Sequence, residues 1–144
     1  MNSPSDAAPT PQSAMPQVLR LLDAAGTQGV LIGSRCRRCG ATSLGQQRAC
    51  ANCAMSDLET VDLSTRGALM SFTIVHRAAP SWPGPVPYAL GEVELPESVT
   101  VNGEVVGCPF EALHVGMAVE LTVRVCGHDA ASNPLVIHKF QPAG

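Results

Sequence analysis

From Val119 to Val125 the chain sets Val119, Leu121, Val123 and Val125 against Glu120, Thr122 and Arg124. A period of two with one polar side marks a strand that buries one face. The expected core set there is all four apolar residues. A similar alternation recurs at Met70, Phe72 and Ile74, and at Val93 and Leu95 between Glu92 and Glu94. Leu135–Phe140 supplies a last strand, and Gly29-Val-Leu-Ile-Gly33 an early one. The N-terminal pattern is different. Val18, Leu21, Leu22 and Ala25 fall at i, i+3, i+4 and i+7 between Pro16 and Gly26. That spacing predicts a short helix over 16–25, opened by the proline and stopped by the glycine. Residues 1–13, rich in Pro, Ser and Ala, are expected to form a disordered tail.

After about residue 61 the pattern gives five strands, with a short helix opened by Pro109 before the fourth. Five strands with such an insert fit a small OB-type barrel. One local signal competes with this count. Asn102-Gly103 between Val101 and Glu104 reads as a tight turn or as a bulge within one strand from Val99 to Val106. The single strand is preferred, because it leaves five strands of ordinary length.

Composition narrows the function. With five aromatic residues in 144, the core must be built from aliphatic side chains. The formal charge is −3, which disfavours nucleic acid as a partner, because its binders present basic surfaces. No stretch of about 18 apolar residues suggests a membrane span. The opening MNSPSDAAPTPQ lacks the basic and apolar parts of a secretory signal. A cytoplasmic protein is expected.

The strongest chemical signal is Cys36-Arg-Arg-Cys39-Gly40 followed by Cys50-Ala-Asn-Cys53. Two Cys-x2-Cys knuckles can converge on one ion with four thiolates, the ligand set of closed structural zinc sites. Rubredoxin-like iron or disulfides are the lesser alternatives, and a closed site leaves no position for a reacting water. The expected architecture is therefore mainly β: an N-terminal helix within 14–28, a rubredoxin-like zinc ribbon over 29–60 and a five-stranded OB-type barrel over 61–144. Arg35, Arg37, Arg38 and Arg48 flank the cysteines. They either offset the −2 charge of a zinc tetrathiolate or offer a basic patch to coenzyme A phosphates or an acidic partner; the offset is the commoner role.

No paired carboxylates, Ser-His-Asp pattern or phosphate-cradling glycine loop is present. Cys108 and Cys126 have no motif tying them to His114, His128 or His138, and an activated thiol needs such a base. His76 ends a strand beside Arg77. The segment Ala79–Tyr88 holds Pro80, Pro83, Pro85 and Pro87 together with the single Trp82 and single Tyr88. A stiff loop presenting aromatics loses little entropy on docking. It is either a contact surface or a rigid crossing with Trp82 at the core edge.

The order of these features resembles the bacterial and archaeal zinc-ribbon/OB-fold proteins that accompany acyl-CoA enzymes. The likeness rests on Cys36-x2-Cys39-Gly40, Cys50-x2-Cys53, Arg66-Gly67, Val75-His76-Arg77, Pro87-Tyr88 and Val115-Gly116-Met117, and covers roughly residues 16 to 142. It implies a non-catalytic accessory subunit of a thiolase-type complex in steroid or aromatic degradation. It also implies docking on a thiolase-fold catalytic subunit and shared binding of a coenzyme A thioester, for which Arg37, Arg38, Trp82 and Tyr88 are the candidate contacts. The competing readings are a nucleic-acid-binding ribbon/OB module and a free-standing enzyme using Cys108 or Cys126.

Overall fold

In the computed structural model, which describes residues 9–82 and 84–143, the chain is almost entirely β. The strands are β1 (Gln12–Ser13), β2 (Leu19–Leu21), β3 (Gly29–Cys36), β4 (Thr42–Leu44), β5 (Leu58–Asp62), β6 (Arg66–Val75), β7 (Tyr88–Glu94), β8 (Thr100–Val105), β9 (Ala118–His128) and β10 (Pro134–Pro142). Strands β6, β7, β8, β10 and β9 pair in that order, and β9 pairs again with β6. This closed circuit of five strands is the expected OB barrel. Its core is aliphatic apart from Phe140: Leu69, Val93, Val101, Val119 and Val136 are all buried. Pro109 precedes one 3-10 turn, Phe110–Ala112, where the short helix was expected.

The remaining sheet is organised by β3. One edge of β3 pairs with β2 at Gly29–Leu31 and with β4 at Gly33–Arg35, and its other edge pairs with β5 along Ile32–Cys36. Leu19, Leu31 and Leu63 belong to the same apolar cluster as Leu69, Val119 and Val123. The inner end of this sheet and the barrel therefore share a core.

The expected N-terminal helix is absent. Leu19–Leu21 is a strand, and Asp23–Gln28 turns it back into β3. The Thr27 hydroxyl donates to Asp23 Oδ2, and the N–H groups of Gln28 (3.1 Å) and Thr27 (2.8 Å) donate to Oδ1; in that order these bonds hold the Asp23 carboxyl below the usual range. A helix this short is marginal in water. As a strand the segment gains backbone pairs with β3 and buries Leu19 fully, while Leu22 of the predicted stripe is exposed. Of the expected disordered tail, residues 1–8 lie outside the described residues. Gln12 and Ser13 depart from the expectation, because they pair in parallel with Leu135 and Val136.

Asn102-Gly103 is neither a turn nor a bulge. Val101, Asn102, Gly103 and Glu104 pair in unbroken register with Val93, Glu92, Gly91 and Leu90. The glycine answers a close approach instead: a Cβ there would lie 3.1 Å from Cδ2 of Phe140. In β9, Val119 and Val123 are buried as expected, but Val125 is 57% exposed. The pairing steps from Val125↔Val136 to Gly127↔Leu135. Cys126 is thus an extra residue that bends the strand away from the core.

Candidate metal centre and the Trp82 loop

Two backbone knuckles bring the four cysteines together. Gly40 N–H donates to Cys36 O, and Ala54 N–H donates to Cys50 O, both at 2.9 Å. Cys36 N–H donates to Ala41 O (2.9 Å), and Cys50 N–H donates to Met55 O (2.8 Å). The two turns therefore repeat one geometry. Each needs a left-handed residue after its second cysteine: Gly40 at φ +77° and Ala54 at φ +64°.

All four sulfurs lie within 4.8 Å of one another. Cys36 Sγ is 3.6 Å from Cys53 Sγ, and Cys39 Sγ is 3.5 Å from Cys50 Sγ. Tetrahedral zinc with bonds of about 2.3 Å places its sulfurs roughly 3.8 Å apart. The donor set and its spacing fit that ion. Asn52 supports the set: its N–H donates to Cys50 Sγ at 3.3 Å and its Nδ2 to Cys39 Sγ at 3.6 Å.

Electrostatics agree with a cation at the centre. The Ala41 N–H, followed by the Asn52 and Cys50 side chains, draws the Cys39 thiol down to about 6. The Cys39 N–H likewise lowers Cys36. At Cys53 the Met55 N–H also favours the thiolate, but burial and the neighbouring thiols outweigh it and push the group up to about 12. Without a metal the cluster resists its last negative charges; a divalent ion removes that resistance.

The flanking arginines divide into two groups. Arg37 Nη1 meets Asp57 Oδ1 at 2.9 Å, Arg35 meets Glu59 at 3.8 Å, and Arg20 meets Asp62 at 2.8 Å. Asp57 lowers the acidity of the Arg37 guanidinium further. These three ion pairs run along β5 and the residue preceding it. The alternation of Arg35 and Arg37 against Asp57 and Glu59 was readable in the sequence, although the pairing was not anticipated. Arg38 reaches Met55 Sδ at 4.0 Å, and neither Arg38 nor Arg48 has an acidic partner within 4.0 Å among the described residues.

Trp82 lies outside the barrel core. Its ring stacks on Tyr88 with centroids 3.9 Å apart and an interplanar angle of 16°. Its Nε1 donates to Pro85 O at 3.2 Å. The loop covers a seam in the barrel, because β10 meets β8 at Phe140 and β1 at Leu135–Val136, leaving 137–139 between them. Side chains close the seam: His138 Nε2 bonds Asn102 O at 3.0 Å, and Lys139 Nζ meets Glu104 at 2.7 Å. Lys139 Nζ also lies 6.0 Å from the Trp82 ring. A cavity of about 400 Å³ opens between Trp82, Pro85, Val125, Cys126, Ile137 and Lys139. Pro83 is outside the described residues.

No histidine ring hydrogen-bonds a cysteine thiol among the described residues. His114 Nδ1 lies 3.2 Å from Ala112 O, and His76 and His128 are exposed. Cys108 packs against the barrel core and Cys126 sits in the β9 bulge.

Comparison with known proteins places this geometry in a family. A model described as "ChsH2, C-terminal OB-fold domain" matches residues 60–124. A DUF35 domain-containing scaffold protein of Methanocaldococcus jannaschii is 30% identical over 114 residues, spanning 78% of this chain and 81% of its own length. The benzoylsuccinyl-CoA thiolase subunit BbsA of Thauera aromatica is 31% identical over 118 residues, spanning 81% of this chain and 78% of its own. Among solved structures, the Ltp2-ChsH2(DUF35) aldolase superposes with a TM-score of 0.65 at 26% identity, covering 80% of this chain and 86% of the matched one. With its ribbon-like cysteine cluster and its closed OB barrel, the chain belongs to the DUF35 family.

Proposed function

We propose that this chain is a non-catalytic scaffold subunit of a thiolase-type acyl-CoA complex. In this reading Cys36, Cys39, Cys50 and Cys53 hold one structural zinc ion, and the chain docks on a thiolase-fold catalytic subunit in the reducing cytoplasm. The observation that carries it is the likeness to a thiolase subunit along most of both chains. The site chemistry supports it: four thiolates would saturate a bound metal, and no thiol is paired with a base among the described residues.

Trp82 and Tyr88 are the proposed contact anchors, because rigid aromatics concentrate binding energy at interfaces. Arg38, unpaired, and Arg37, held by an exposed ion pair that exchanges cheaply, are the candidates for coenzyme A phosphates. A nucleic-acid module would need a positive groove. Here Arg20, Arg35 and Arg37 are matched to acids, and no observation favours that reading.

The test is a Trp82→Ala variant with two readouts. Affinity for the catalytic subunit should fall by roughly 2 kcal/mol or more, with thermal stability and zinc content unchanged. A variant that melts earlier yet binds its partner as the parent does would make Trp82 a packing residue and remove the loop from the interface.

A further inference from the structure

The barrel leaves the outer edge of β6 open beyond Leu69. Strand β6 pairs with β9 at Arg66–Ala68, and Leu69 continues that side by bonding Met117 N–H-to-O at 3.0 Å and Gly116 at 2.7 Å. Beyond Leu69 the strand runs on to Val75, paired with β7 alone. In a strand, alternate residues turn their N–H and C=O groups to opposite sides. Along Met70–Val75 the groups facing away from β7 have no backbone or side-chain partner among the described residues.

The other edges are guarded. Strand β5 carries Glu59 and Asp62 and follows Asp57; β9, unpaired on its β6 side beyond Leu121, carries Arg124 and the Cys126 bulge; β4 and β1 are three and two residues long. Charges and short length are the usual protections against unwanted pairing. Ser71-Phe-Thr-Ile-Val75 has neither, and no proline; the one interruption is the bulge at Met70, where pairing with β7 steps from Leu69↔Val93 to Ser71↔Glu92. Apolar residues flank it: Met70 is 45% exposed, and Val115, beside the Gly116–Leu69 bond, is 64% exposed.

We propose that Met70–Val75 is a docking edge that accepts one extended strand of the catalytic partner by backbone pairing. An unpaired ladder specifies its occupant's conformation, since only an extended backbone meets every second group. Charge decides between a partner and a second copy. The outer face beside the edge carries Glu92 and Glu94 on β7, and the whole chain is negative. Pairing two copies would bring like-charged faces together, whereas a neutral or basic strand is complementary. Exposed Met70 and Val115 would cover apolar side chains of the incoming strand. This inference rests on the scaffold-subunit reading and names a surface distinct from the Trp82 loop.

Hydrogen exchange on the full chain, alone and with the thiolase-fold protein from the same cells, tests it. Alternate amides of Met70–Val75 should exchange freely in the chain alone and slow by about tenfold or more in the complex. A complex that forms with exchange along Met70–Val75 unchanged overturns the docking edge and leaves the scaffold reading standing. Failure to form any complex removes the scaffold reading and the docking edge with it. Protection in the chain alone, accompanied by a dimer in sedimentation, would assign the edge to a second copy and overturn the proposed occupant. Thr73→Pro and Ile74→Pro give a second measurement. One of these adjacent N–H groups faces β7 and the other faces the open edge. The variant that retains the parent's melting behaviour should bind the partner at least tenfold more weakly; unaltered binding would contradict the proposal.

Discussion

Inside the barrel, Phe140, Leu69, Val93, Val101, Val119 and Val136 are each no more than 1% exposed. In the ribbon between Arg35 and Val61, the buried apolar residues are Cys36 and Cys50. The barrel thus removes a contiguous aliphatic core from water, which is the dominant favourable contribution to folding. The outer ribbon has no comparable core. It is held by β3–β5 pairing, exposed ion pairs of small individual worth, and the four thiols. The boundary between the two falls within a single strand. Strand β3 enters the barrel's core at Leu31 and ends at the cysteine cluster at Cys36, so one strand crosses from the first kind of stabilisation to the second.

That contrast makes metal removal the largest expected effect. Chelation, or Cys36→Ser or Cys53→Ser, should abolish ordered structure over about residues 36–58, since metal-binding energy at such sites, on the order of 10 kcal/mol, is folding energy. The barrel should keep its cooperative unfolding and its slow amide exchange. If barrel amides lose protection together with the ribbon, the two regions are one cooperative unit and the comparison fails.

Next in size are substitutions within the barrel. Val123→Ala should cost about 2 kcal/mol through lost burial and a residual cavity. Val125→Ala, two residues along the same strand, should stay within about 0.5 kcal/mol because the site is exposed. Equal losses at both positions in denaturant unfolding would show that the β9 bulge does not release Val125 from the core.

This pair also shows what the sequence could and could not convey. The alternation Val119–Val125 identifies a half-buried strand, but a bulge at Cys126 is set by the pairing with Leu135–Val136, ten residues away, and leaves no local mark. The cysteine knuckles were legible because each is a closed local turn whose spacing alone brings the thiols together. The N-terminal segment misled for the converse reason. Val18, Leu21, Leu22 and Ala25 satisfy helical spacing, yet the partner that decides their conformation is Gly29–Leu31. Strand β1 was invisible because it is very short and pairs with a strand more than a hundred residues away. The five-strand count survived because each barrel strand is long enough to show its own period.

A smaller effect belongs to the second knuckle. Ala54 occupies a left-handed position that Gly40 fills in the first. Ala54→Gly should stabilise the ribbon by up to about 1 kcal/mol by relieving its Cβ clash, read as slower metal loss to a chelator. Accelerated loss would show that the two knuckles are not equivalent.

The smallest effect is on the pH dependence of the barrel. Burial holds the His138 imidazole below its ordinary value, against a weaker opposing contribution from Asn102 O, and its Nδ1 has no partner among the described residues. The unfolded chain therefore binds this proton more readily. Stability from this group is fully present above about pH 6.5, and is lost as pH falls from there toward the lower folded value. His138→Leu should flatten the melting temperature between pH 7 and 5.5. An unchanged slope would assign the dependence to other groups.

The most direct test of the scaffold account is reconstitution from separately purified proteins. Thiolase turnover is measured for this chain, for its thiolase-fold partner and for the stoichiometric mixture, with zinc content determined on each. The account predicts no turnover from this chain, about one zinc per chain bound to it, and a stable mixed complex whose turnover exceeds that of the partner alone. Turnover by the isolated chain that Cys126→Ser abolishes, or a partner fully active and unbound in the mixture, would contradict it.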